Sequence, residues 1–214
     1  EGDVVERREV NVSRAAIDAA LARFTGAIDQ MPPMHSALKH QGRALYEYAR
    51  EGIEVERAVR HITIHALTLV EWHESTLVLD VLCSKGTYVR TLAEDIGTAL
   101  GCGAHLSALR RTASGPLSID NAITLDALST LPDAERDAHL LPPDALLADW
   151  PEHRLPAQEA ARFLTGLRRR VNAPDSPRIR VYGPEQHALL GSAHITAGEL
   201  IPDRLLSPLE IQSL

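Results

Sequence analysis

Two stretches of alternating residues constrain this chain most. They are Val59–Trp72 (VRHITIHALTLVEW) and Ser75–Ser84 (STLVLDVLCS), two residues apart. Alternation with a period of two puts every second side chain on one face, so each stretch reads as a strand. The short connection makes them an antiparallel hairpin. An isolated hairpin is marginal in water, so its apolar face needs a cover. Two flanking segments can supply one. Asn11-Val12-Ser13 offers a helix cap, with Ile17, Leu21 and Phe24 on one face until Gly26. After the hairpin, Thr87 can cap a helix to about Leu100, with Leu92, Ile96 and Leu100 facing inward and Gly101 ending it.

The remaining elements are shorter. QMPPMHSALKHQG (30–42) is irregular, because Pro32-Pro33 forbids helix there. RALYEYAREG (43–52) is a short helix that Gly52 ends, and HLSALRRTASGPLSI ends in a short strand. TLDAL (124–128) opens another helix. From Pro151 on, one helix (AQEAARFLTGL) is followed by short strands broken by Gly and Pro, which describes a small β-rich domain. The acidic segment 131–150 gives way to Arg154, Arg162, Arg168, Arg169, Arg170, Arg178 and Arg180. That reversal of charge near Trp150, beside Pro142-Pro143 and Pro151, places a domain boundary.

Composition narrows the class. A chain of 214 residues with 44% apolar residues can bury a sizeable core. No stretch is long and apolar enough to span a membrane, and the N-terminal EGDVVERREV has no signal-type apolar core. Cys83 and Cys102 read as reduced cytosolic thiols, so the expected location is cytoplasmic. His61 and His65 lie in a strand with no third ligand near them, so no metal site is expected. A net charge of −7 argues against coating nucleic acid everywhere but leaves room for a local basic face.

Between the hairpin and the next helix stands SKGTYVRTL (84–92), with Tyr88 and Arg90 two residues apart. Strand-to-helix junctions at a sheet end are common places for sites. On spacing alone, a core tyrosine and a structural ion pair explain the two residues slightly better than a site does.

Two long motifs go further. QMPPMHSALKHQGRALYEYAREGIEV (30–55) and CSKGTYVRTLAEDIGTALGCGAHLSALRRTASGP (83–116) together resemble the bacterial tRNA pseudouridine-55 synthase family, often called TruB. The resemblance is continuous from residue 1 to about 128, and the tail is similar to the family's PUA-like RNA-binding domain. It implies an α+β fold: a mixed sheet with flanking helices, followed by a small PUA-like β-barrel. Residues 1–148 would be the C-terminal part of the catalytic domain, with an RNA-gripping thumb over about 28–60, and 149–214 the PUA-like domain.

The implied activity is isomerisation of uridine to pseudouridine in the TΨC loop of tRNA, with no cofactor and the T-arm stem-loop as partner. Tyr88 and Leu109 would hold the flipped base, and Arg90 would sit beside the catalytic carboxylate. An arginine there keeps an aspartate ionised and aimed, and an aromatic surface suits an extruded base. Lys39, Arg43, Tyr46 and His35 would fall in the thumb, and Arg111 in a second pocket segment; the family often has an aromatic residue where His35 stands. Arg168, Arg169 and Arg170 would meet RNA phosphate, although a solvated helix end favoured by the helix dipole explains that cluster too. A solvated helix face likewise accounts for the thumb residues.

One family feature is absent. The nucleophilic Asp lies in a Leu-Asp-Pro-x-Ala-Thr-Gly-like motif upstream of everything seen here, and no such motif occurs in the chain. Asp126 lacks the following Thr-Gly, and Asp95 lies along the helix after Arg90, so neither inherits the role. The expectation is a piece lacking the front of the catalytic domain, inactive alone and open to a companion N-terminal segment. Two rivals stand beside it: a non-catalytic tRNA-binding or RNA-folding protein, and a protein-interaction domain using segment 131–150.

Overall fold

The computed structural model describes residues 4, 6–185 and 188–207; the outermost residues of both domain assignments lie outside these. The chain forms two compact units, Glu1–Leu109 and Arg110–Leu214. Among the described residues no helix is long and apolar enough to cross a membrane.

In the first unit, helix α1 (Arg14–Arg23) is capped as its sequence predicts, with the Ser13 hydroxyl accepting from the Ala16 N–H at 3.2 Å. Gly26 does more than end this helix. At φ +99° it turns the chain into strand β1 (Gly26–Gln30), a strand too short for its sequence to announce. A two-stranded ribbon follows, β2 (Lys39–His40) and β3 (Arg43–Ala44), leading into the one-turn helix α2 (Leu45–Arg50). The hairpin is present as strands β4 (Arg60–His73) and β5 (Thr76–Cys83). With β1 they make an antiparallel sheet in the order β1-β4-β5. Helix α3 spans Val89–Ala99.

Alternation decides which side of this sheet is covered. Ile62 and Ile64 on β4 are buried with Ile17 and Leu21 of α1 and Leu92 and Ile96 of α3. Leu77, Leu79 and Val81 of β5 pack against the same cluster. Their alternates Val78 and Leu82 are exposed.

The second unit opens with the small ribbon β6 (Ala113–Ser114) and β7 (Leu117–Ser118), then helices α4 (Leu125–Thr130) and α5 (Asp133–Asp137). Strand β8 (Glu152–Arg154) and helix α6 (Ala157–Phe163) precede four further strands: β9 (Arg169–Arg170), β10 (Ser176–Tyr182), β11 (Leu189–Thr196) and β12 (Glu199–Leu205). The five-stranded sheet runs β8-β10-β11-β12-β9, and its β8–β10 pair is parallel, so this sheet is mixed. It curls around a core of Leu155, Phe163, Ile179, Val181, Ala193, Ile195 and Leu200.

Candidate active site

The chain passes from β5 into α3 through five residues, four of which have a defined task. The Ser84 hydroxyl accepts from the Thr63 N–H at 3.0 Å and the Ser84 N–H donates to the Thr63 carbonyl at 2.8 Å, so the junction starts pinned to β4. Gly86 then takes φ +86°, a left-handed conformation that glycine adopts without strain. Thr87 does not cap the helix. Its hydroxyl donates to the Ser84 carbonyl at 2.9 Å and closes the turn instead. The N-cap is Tyr88, in extended conformation (φ −97°, ψ 99°), one residue later than the sequence predicts.

Tyr88 is held by a residue 58 positions away. The Gln30 side chain, 1% exposed at the end of β1, donates from Nε2 to the Tyr88 carbonyl at 3.1 Å. Its Oε1 accepts the Tyr88 N–H at 2.7 Å. Tyr88 itself is half-buried, not sealed in the core. Arg90, on the first turn of α3, is exposed and donates from Nη2 to the His35 carbonyl at 3.0 Å. Among the described residues, no carboxylate lies within ion-pair distance of it. A structural ion pair is therefore not what Arg90 makes here. Arg57 fixes the same loop from the other side, donating to the Pro32 carbonyl at 3.1 Å. Beside the Arg90–His35 contact in sequence, the hydroxyls of Ser36 and Thr91 are buried with no hydrogen-bond partner. Asp95 is further along α3 and half-buried; burial, then the neighbouring Glu94, push its carboxyl above the usual range.

The structure thus brings Gln30, His35, Tyr88 and Arg90 together. Among the described residues, no side-chain hydrogen bond ties the other sequence candidates to these four. Leu109 is 66% exposed at the end of the first unit, so it is not a core leucine. Arg111 is exposed just ahead of β6. Lys39 is exposed on β2, and Tyr46 is exposed on α2 with the Arg50 guanidinium 5.2 Å over its ring. Arg43 is engaged by two carboxylates: Glu51, by two hydrogen bonds, and Glu47 at 3.1 Å. These bonds raise its pKa above the ordinary arginine value, Glu51 contributing most. Arg168 and Arg170 are exposed, whereas Arg169 pairs with Glu159 of α6. Because α6 ends at Phe163 and Arg169-Arg170 form β9, this cluster is not a helix end.

A second polar cluster, unforeseen in the sequence, lies in the second unit. The Tyr182 hydroxyl donates to Asp144, and Arg180 Nη1 donates to the same carboxylate oxygen at 3.1 Å. Arg180 also reaches the carbonyls of Trp150 (3.1 Å) and Ala148 (3.2 Å), fastening segment 144–150 to β10. Burial pushes the Asp144 carboxyl up, but bonds from Tyr182, the backbone and Arg180 outweigh it and leave the group low. Burial, then the Asp144 bond, push the Tyr182 phenol to about 12. Among the described residues no group of His, Cys, Asp or Glu could hold a metal ion.

The fold is that of a pseudouridine synthase. Among solved structures, a Cbf5-Nop10-Gar1 complex aligns with a TM-score of 0.69 at 21% identity, covering 92% of this chain and 63% of that one. An H/ACA RNP bound to a substrate RNA containing 2'-deoxyuridine aligns at 0.67 and 18%, covering 94% and 63%. At these identities the likeness is one of fold. Sequence carries it further: the TruB family pseudouridylate synthase N-terminal domain matches residues 1–89. The tRNA pseudouridylate synthase B C-terminal domain matches 90–148, and the C-terminal domain of pseudouridine synthase II TruB matches 151–206. The tRNA pseudouridine synthase B of Verminephrobacter eiseniae (strain EF01-2) is 53% identical over 100% of this chain and 67% of its own length. That of Burkholderia mallei (strain NCTC 10247) is 53% identical over 96% of this chain and 70% of its own. The chain belongs to the TruB family of pseudouridine synthases, and it spans about two thirds of the length of these relatives.

Proposed function

We propose that this chain is the larger part of an enzyme that converts uridine to pseudouridine in tRNA, at position 55 of the TΨC loop, in the cytoplasm. Family membership supports the reaction, and one structural observation supports the site: Tyr88 and Arg90 stand two residues apart at the β5–α3 junction, neither sealed in the core. In this reaction the N1–C1′ glycosidic bond breaks, the base turns, C5–C1′ forms, and the C5 hydrogen leaves as a proton. The target base has to leave its stack, and Tyr88 and the exposed Leu109 are the surfaces that receive it. Arg90 fixes and keeps ionised the nucleophilic Asp, whose motif is not in this sequence. Attack of that Asp, at sugar or base, makes a covalent intermediate, which a pocket that only holds the base cannot replace.

We place the thumb at about 28–60, with Lys39, Arg43 and Tyr46 on the T-arm, and take Arg111 as a further RNA contact. Arg43 would have to exchange Glu47 and Glu51 for phosphate. The boundary near 149 is supported by the change of family model between 148 and 151. Beyond it, Arg168 and Arg170 are free to meet RNA, and Arg169 would do so only by releasing Glu159. The chain alone is inactive and takes a companion segment carrying the Asp.

The test is filter binding with a T-arm hairpin and with a hairpin of scrambled loop sequence. Preference for the T-arm by at least about tenfold is expected; equal binding would remove the T-arm assignment.

A further inference from the structure

We propose that Gln30 is the positioning residue for the base-holding Tyr88, acting through the tyrosine's backbone. The proposal rests on the reading of Tyr88 as a base contact. Its physical core is the double bond of one side-chain amide to one residue. The Tyr88 N–H belongs to the peptide plane before its Cα and the Tyr88 carbonyl to the plane after it. Gln30 holds the first at 2.7 Å and the second at 3.1 Å. Fixing both planes fixes φ and ψ together, and with them the direction in which the Tyr88 side chain leaves the backbone.

No other part of the junction does this. Tyr88 is the N-cap of α3, yet no side chain caps the helix there. Its carbonyl also accepts the Leu92 N–H at 3.0 Å, so both lone pairs of that oxygen are used. Gln30 in turn is held by the sheet: it ends β1 opposite Arg60, the first residue of β4. The register of the sheet is thereby carried to the tyrosine. An amide at 1% exposure is costly unless both its ends are bonded, and here both bonds go to Tyr88. A reacting group misplaced by about 1 Å can cost on the order of a hundredfold in rate. A clamp of this kind therefore bears on turnover.

The measurement is tritium release from tRNA labelled at uridine C5, with the full-length enzyme as Gln30→Met, Tyr88→Ala and the double variant. Methionine keeps the buried volume and loses both bonds. Gln30→Met should lower kcat by roughly tenfold to a hundredfold, with KM changed less than about threefold. The double variant should lose no more than Tyr88→Ala alone, because the clamp acts only through the tyrosine. Multiplied losses in the double variant, or an unchanged kcat for Gln30→Met where Tyr88→Ala is impaired, would overturn the proposal. Full activity of Tyr88→Ala would instead remove the base-contact reading, and the proposal with it. Gln30→Glu supplies a second test, needed if Gln30→Met does not fold. A protonated carboxyl offers one donor and one acceptor, like the amide, and burial favours that form. Its kcat relative to wild type should rise as pH falls; a flat ratio would count against the clamp.

Discussion

Arg90 reaches from the first turn of α3 to the His35 carbonyl, and that single bond leaves most of its five N–H donors for another partner. If that partner is the nucleophile, Arg90→Met in the full-length enzyme lowers turnover by roughly a thousandfold while tRNA affinity changes less than about threefold. Parallel losses in filter binding and tritium release would make Arg90 a phosphate contact instead. Tyr182 gives a prediction with a pH window. Its folded pKa, about 12, lies above that of a free tyrosine, so its contribution to stability is complete below about pH 10. It is lost as pH rises towards 12. Asp144 is low in the fold, so its contribution holds above about pH 4 and fades as acid protonates it. Absorbance titration of the four tyrosines should show one ionising near 12, and Asp144→Asn should return it towards 10. The same variant should cost about 3 kcal/mol in urea unfolding, because it leaves Arg180 half-buried without its charge partner. At this scale the sequence spoke unevenly. The junction that carries Tyr88 and Arg90 was legible through its motif. Gln30 was not, because its partner is 58 residues away and a buried glutamine breaks no periodicity.

Elements with strong periodicity or a clear cap were legible. Ser13 caps α1, the hairpin spans β4 and β5 within a residue or so of its expected ends, and α3 ends at Ala99, just before Leu100 and the left-handed Gly101. Short elements were not. Strand β1 has five residues and β8 three, too few for alternation to stand out, and α5 hides in the charged segment DAERD. The misplaced cap of α3 has a physical cause: the Thr87 hydroxyl donates to the Ser84 carbonyl, a local side-chain-to-backbone bond that competes with capping. Ser13→Ala should cost about 1 kcal/mol, the ordinary worth of such a cap. Gly97 has a stricter role, since a Cβ there would lie 2.2 Å from the Ala104 backbone nitrogen and 2.3 Å from the Gly103 carbonyl carbon. Gly97→Ala should therefore force α3 away from the loop after it and cost about 2 kcal/mol or more, read from the urea midpoint. A neutral Gly97→Ala would mean that this loop yields freely.

At the scale of the whole chain, a net charge of −7 has to coexist with RNA binding, so affinity must come from local arginine-rich surfaces. Removing the tail should weaken tRNA binding and flatten its salt dependence by roughly one unit of slope per lost phosphate contact. The cut belongs before Asp144, because Arg180 and Tyr182 hold 144–150 to the C-terminal sheet. In the first unit, β5 ends the order of its sheet, and Val78 and Leu82 are exposed on it. Such a strand invites pairing with another chain, so the polypeptide made alone should be poorly soluble. If this junction serves pseudouridine formation, it does so with an Asp from outside the present sequence. Tritium release from C5-labelled tRNA tests it most directly, with this chain alone and again with a separate polypeptide carrying the Leu-Asp-Pro-type segment. No release is expected from the chain alone, and measurable release when the segment is added. Release by the chain alone that Asp95→Asn abolishes would contradict that expectation.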